Sequence, residues 1–123
     1  MKKFLFLSFA LLLIGLGVFA QGISLGDFPT GKWVDEKYNA VWEFGTGNIR
    51  ILDMDGGVYY DFKDKTIENF NVSASLKGIK LSFSCVESGR SYEFLKPPTN
   101  LDLEMIIDTE WDVHYKANLP FKN

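Results

Sequence analysis

Residues 79–85, IKLSFSC, place apolar side chains at every odd position, with Lys80, Ser82 and Ser84 between them. That is the period of a half-buried strand, and a helical period would mix charge into the apolar face. Residues 101–105, LDLEM, repeat it. The same alternation predicts eight strands: Lys32–Asp35, Ala40–Phe44, Asn48–Met54, Gly57–Phe62, Thr66–Ser73, Ile79–Cys85, Ser91–Lys96 and Leu101–Asp108. Gly45-Thr46-Gly47-Asn48, Asp55-Gly56-Gly57 and Ser88-Gly89 supply residues that tolerate the positive φ of tight hairpins. Pro97-Pro98-Thr99-Asn100 makes a stiff connection. Every connection is short, so successive strands should be antiparallel neighbours. A small all-β, eight-stranded antiparallel up-and-down barrel removes both sheet edges, and a two-sheet β-sandwich is the alternative.

Strand phase assigns an inward face rich in large side chains. It holds Trp33, Trp42, Phe44, Ile49, Ile51, Val58, Tyr60, Phe62, Phe70 and Val72 from the first five strands. The later strands add Ile79, Leu81, Phe83, Cys85, Tyr92, Phe94, Leu101, Leu103 and Met105. Val41, Leu52, Tyr59, Leu95 and Ile106 fall on the outward phase, where cover by the terminal segments is the plain explanation. A barrel of this size either fills with side chains or holds one small ligand. An apolar lining with polar tips such as Tyr60 and Tyr92 suits a small hydrophobic molecule. Aromatic rings fill a solid core equally well.

The flanks read differently. Residues 1–20 combine Lys2 and Lys3 with an uncharged apolar run and a small-residue pattern at Val18 and Ala20, the form of a cleaved signal peptide. No lipid-anchor cysteine follows, so the mature form is expected to be periplasmic or secreted and not membrane-spanning, with an uncleaved N-terminal anchor as the alternative. Residues 21–30 form an N-terminal arm. Residues 109–123 form a C-terminal tail expected to pack across a barrel end, anchored by Trp111 and Tyr115, with a short helix over 109–117 as an option. Of 123 residues, 103 follow residue 20, carrying 11 basic side chains (two of the 13 lie earlier) against 16 acidic. That is one domain of acidic balance, which disfavours nucleic acid as a partner.

The chemistry-bearing residues point to no enzyme. Cys85, the one cysteine, ends an apolar face, which reads as a buried small side chain and excludes an internal disulfide. His114 is the one histidine and has no ligand spacing around it, so no metal and no cofactor are expected. Asp53-Met54-Asp55-Gly56 resembles the start of a calcium loop, but Asp64 stands where such a loop needs Glu, and a hairpin turn explains it better. No Gly-x-Ser-x-Gly elbow and no phosphate loop occur. The carboxylate pairs Asp102/Glu104 and Asp61/Asp64 fall on outward positions and turns.

Gly31-Lys32-Trp33 opens the first strand after a short arm, followed by Trp42-x-Phe44, Ile49-x-Ile51, Ile79-x-Leu81, Tyr92-x-Phe94 and Leu101-x-Leu103. Over residues 31–108 this resembles the lipocalin and calycin barrels, most closely the short bacterial exported lipocalin-like proteins. The resemblance implies that Trp33 closes the barrel base and that the interior takes a small hydrophobic ligand. The chain lacks a Thr-Asp-Tyr motif, and Arg90 lies in a turn where the family's Trp-stacking Arg would come from a late strand. The expectation is therefore an exported non-enzymatic binding protein whose ligand site is lined by Trp33, Trp42, Tyr60, Phe62 and Tyr92. The alternative is a protein-interaction module with a solid core, similar to protease-inhibitor barrels that use an N-terminal arm.

Overall fold

The structure is a computed structural model that describes Leu25, Gly26 and residues 28–109 and 113–123. The expected signal segment and Trp111 lie outside the described residues.

The described residues form ten strands: β1 Gly31–Asp35, β2 Ala40–Gly45, β3 Asn48–Asp53, β4 Val58–Asp61, β5 Ile67–Ser75, β6 Gly78–Cys85, β7 Arg90–Lys96, β8 Leu103–Thr109, β9 His114–Leu119 and β10 Phe121–Lys122. They form two five-stranded antiparallel sheets, ordered β10-β1-β2-β3-β4 and β9-β8-β7-β6-β5. The expected antiparallel meander is present, but the sheets do not close into an eight-stranded barrel; a two-sheet sandwich describes them. On one side β9 runs through Pro120 into β10, whose partner is β1, and the Pro120 carbonyl accepts from Val34 N at 2.9 Å. On the other side the ladder breaks. β4 stops after four residues because a 3-10 turn, Phe62–Asp64, takes over, capped by the Asp61 carboxylate accepting from Lys63 N at 2.9 Å. That turn inserts Phe62 into the core with no exposed surface.

Two bulges reset the phase of the strands beside this break. Leu52 pairs with Val58 and Ile51 with Tyr60, so Tyr59 is an extra residue on β4. Val58, expected inside, is consequently turned out and half exposed. On β5, Glu68 pairs with Ser84 and Asn71 with Ser82, leaving two residues opposite Phe83, with Asn69 at φ 57°. Asn tolerates this left-handed conformation better than other non-glycine residues. The extra residue lets Ile67 and Phe70 both face inward. Leu101, also expected inside, precedes β8 and is exposed.

The described tail residues form strands that extend the two sheets, in place of the expected packing across a barrel end and the optional helix. Tyr115, Ala117 and Leu119 face the core while His114, Lys116 and Asn118 alternate with them, in register with β8. From the arm, Leu25 and Phe28 are buried in the same core, Phe28 meeting Phe44 at 5.3 Å between ring centres. Of the outward set, Val41 and Leu52 are buried, Leu95 and Ile106 half-buried, and Tyr59 exposed. On the outer face of the first sheet, Lys32, Glu43, Arg50 and Asp61 stand opposite one another across four strands, with alternating charge. Glu43 accepts from Arg50 Nε at 2.7 Å, and the Arg50 Nη2 lies 2.6 Å from the same oxygen. A one-residue slip would destroy this ladder and turn the apolar face outward.

Gly78 opens β6 at φ +127°, where a Cβ would lie 2.1 Å from the Lys96 carbonyl oxygen on the neighbouring strand. Gly78→Ala is expected to destabilise the protein by on the order of 3 kcal/mol, read as a lower urea midpoint. An unchanged midpoint would contradict this packing of β6 against the end of β7.

Candidate functional site

The five residues expected to line an interior cavity do gather, but four of them close on one another rather than around a space. Trp42 stacks on Phe62 at 5.9 Å between ring centres, with the planes 21° apart. It also meets Tyr92 at 5.7 Å and Phe94 at 5.1 Å from the opposite sheet. Phe62 sits edge-on to Tyr60, Phe83 and Tyr92 at 5.0 to 5.3 Å. Such pairs add about 1 kcal/mol each beyond their burial. Trp33 belongs to the far end: its ring packs edge-on against Phe44 and Phe121, and its indole N–H donates to the Leu101 carbonyl at 2.7 Å. The tyrosine hydroxyls expected as polar tips are engaged inside, Tyr92 donating to Ser88 Oγ at 2.9 Å and Tyr60 lying 3.7 Å from Cys85 Sγ.

Space opens at the other end of the sheets. A cavity of about 440 Å³ is lined by Trp42, Ala40, Ile51 and Ile107 below and by Asp35, Tyr38, Tyr59, Arg90, Thr109, Val113 and Tyr115 around it. Each element contributes for a local reason. Asp35 ends β1 on the inward phase of Trp33; Tyr38 sits in the β1–β2 turn; and Tyr59 is the β4 bulge residue, aimed at the rim by the bulge itself. Ile107 and Tyr115 are directly paired on β8 and β9. Of the predicted lining, only Trp42 reaches this cavity. Asp35 carried a sequence signal, a carboxylate on an apolar face. The turn and bulge residues had none.

Asp35 is 4% exposed and accepts from the Tyr115 hydroxyl at 3.0 and 3.2 Å, one contact to each oxygen, and from Lys37 N at 3.1 Å. Tyr38 and Tyr115 meet edge-on at 5.3 Å, and the Lys37 ammonium lies 5.4 and 5.3 Å from their ring centres. Burial, and then the adjacent Asp35 carboxylate, push the Tyr115 phenol up to about 12 from its ordinary 10.0. Tyr115 is thus a neutral donor throughout the physiological range.

Cys85 is buried, with its sulfur near Tyr60 and Glu87. Ser84, Ser91, Asp108 and His114 stand opposite one another in a row across β6 to β9, the two serine hydroxyls 3.1 Å apart and His114 Nδ1 2.6 Å from Asp108. Asp53 Oδ1 accepts from the Asp55 and Gly57 amides at 2.8 Å each, as the hairpin reading requires. Among the described residues no helix is long and apolar enough to cross a membrane.

Tyr60, Tyr92 and Tyr115 all have phenols raised first by burial. The unfolded chain therefore ionises first, so stability is complete below pH 10 and falls as pH rises towards about 12. An alkaline titration of tyrosinate absorbance is expected to show at least three late phenols, with loss of structure in the same interval. Ordinary titration of every phenol with the fold intact would contradict their burial.

Compared with protein-family models, curated proteins and solved structures, the chain matches none.

Proposed function

We propose that this chain is a small exported, non-enzymatic binding protein that takes a small, largely apolar ligand at the open end between its two sheets. The observation that carries the reading is the cavity of about 440 Å³ with an aromatic and aliphatic floor and two charged residues on its walls. Its size and composition are those of small-molecule sites, which are concave, mainly apolar and oriented by a few polar groups. The expected interior site moves outward because Phe62, Tyr92 and Phe94 occupy the space between the sheets. Export rests on Lys2, Lys3 and the apolar run that follows. The likeness to lipocalin-like proteins is part of the same proposal: Gly31-Lys32-Trp33 is supported by Trp33 sealing the end opposite the cavity and by Gly31, where a Cβ would lie 3.2 Å from the Trp33 ring. An eight-stranded barrel remains its fold analogue, opened here between β4 and β5.

The protein-interaction alternative is weakened in its arm-inserting form, because Leu25 and Phe28 are core residues and unavailable to a partner's cleft.

Phenylnaphthylamine, an uncharged probe, is expected to gain emission on binding and to quench tryptophan fluorescence. Ile107→Trp fills the cavity floor and should weaken binding about tenfold, a loss of roughly 1.4 kcal/mol. Trp33→Phe, at the sealed end, should leave it unchanged. Absence of probe binding, or equal binding by Ile107→Trp with its fold verified by circular dichroism, would overturn the proposal.

A further inference from the structure

Buried charges in proteins are ordinarily paired, because moving an ion out of water without a counter-charge is strongly unfavourable. Asp35 departs from this rule. It is the buried charged residue of the described core, yet its partners are a phenol and a backbone amide. Among the described residues no ammonium or guanidinium lies within ion-pair distance of it, the pairs present being Lys32–Glu43, Arg50–Glu43 and His114–Asp108. The carboxylate forms part of the cavity wall, alongside the rings of Tyr38, Trp42, Tyr59 and Tyr115. Aromatic faces attract cations, most of all where water is excluded. Two of these rings already do so, since the Lys37 ammonium sits over both Tyr38 and Tyr115, and Lys37 itself does not line the cavity.

The geometry points to a small organic ammonium as the ligand class: a primary or substituted amine on an apolar body, its cationic end against Asp35 and its body on Trp42, Ile51 and Ile107. This inference rests on the cavity holding a small ligand at all. Arg90 also lines the cavity, but it is exposed and borders the neighbouring hollow beside Cys85 and Gly89. Its charge is at the rim and screened by water, whereas that of Asp35 acts in a low-dielectric wall. The buried charge of the cavity wall is therefore negative. If Asp35 served only to hold Tyr115 and the turn at Lys37, the charge of the ligand would not matter.

The test is calorimetric titration of the full mature chain with three molecules of closely similar shape: phenethylamine, phenethyl alcohol and phenylpropionate. The amine is expected to bind roughly tenfold tighter than the alcohol, the scale of a desolvated cation–aromatic contact with a charge-assisted hydrogen bond. Asp35→Asn keeps an acceptor for Tyr115, and it should abolish the preference for the amine over the alcohol. Equal binding of amine and alcohol would overturn the ammonium inference and leave the cavity reading standing. Tightest binding of phenylpropionate would overturn it too, giving the sign of the site to Arg90. Binding of none of the three would overturn the inference together with the cavity reading. The comparison on the unaltered protein decides between these results even if Asp35→Asn fails to fold.

Discussion

Trp42 is the side chain on which both the core and the candidate site depend. One part of its ring system stacks on Phe62 and meets Tyr92 and Phe94 from the opposite sheet, so it joins the two layers. Another part forms the floor of the open-end cavity. Two sheets of five short strands have room for one layer of side chains between them, and here that layer is aromatic. Phe44, Phe62, Phe83, Tyr92 and Phe94 fill it by edge-on and stacked contacts, continuing through Trp33 and Phe121 to the sealed end. A core so filled leaves the open end, floored by Trp42, as the place for the proposed ligand.

The same filling explains the break between the sheets. Placing Phe62 under Trp42 requires the chain to leave β4 and turn, and the Asp61 cap makes that turn. Burial would raise the Asp61 carboxyl, but the Lys63 amide, the Asn48 side chain and the Arg50 charge outweigh it and hold the carboxyl below its usual range. The ladder cannot continue through a turn, so β4 and β5 do not pair. On the opposite side nothing intrudes, and the chain passes from β9 to β10 through Pro120, which has no N–H to donate but gives its carbonyl to Val34.

Much of the fold was legible because alternation is a direct image of one-sided burial. The strands expected at 79–85, Ser91–Lys96 and Asn48–Met54 lie within two residues of their expected bounds. Bulges are invisible to a period-two reading, which is why Val58 was placed inside and Ile67 was not. The strand at 114–119 does alternate, with Tyr115, Ala117 and Leu119 against His114, Lys116 and Asn118, but small Ala117 and the following Pro120 obscured it. The site was the least legible part. All five residues expected to line it are large side chains of the core or packed against it, but inward position does not distinguish a wall from a filling. The cavity residues Tyr38, Tyr59 and Arg90 come from a turn, a bulge and a strand end, brought together only by the register of the sheets.

The central claim is that aromatic side chains fill the space between the sheets and that a ligand is held at the open end, against Trp42. Trp33 and Trp42 stand opposite each other on β1 and β2, but the Trp33 indole N–H bonds to Leu101 while Trp42 lines the cavity, and nuclear magnetic resonance during titration with phenylnaphthylamine reads both at once. The account predicts a progressive shift of Trp42, accompanied by Ala40, Ile51 and Ile107, with Trp33 unmoved. Shifts centred on Trp33, Leu103 and Phe94 would place the ligand inside the sheets and contradict it.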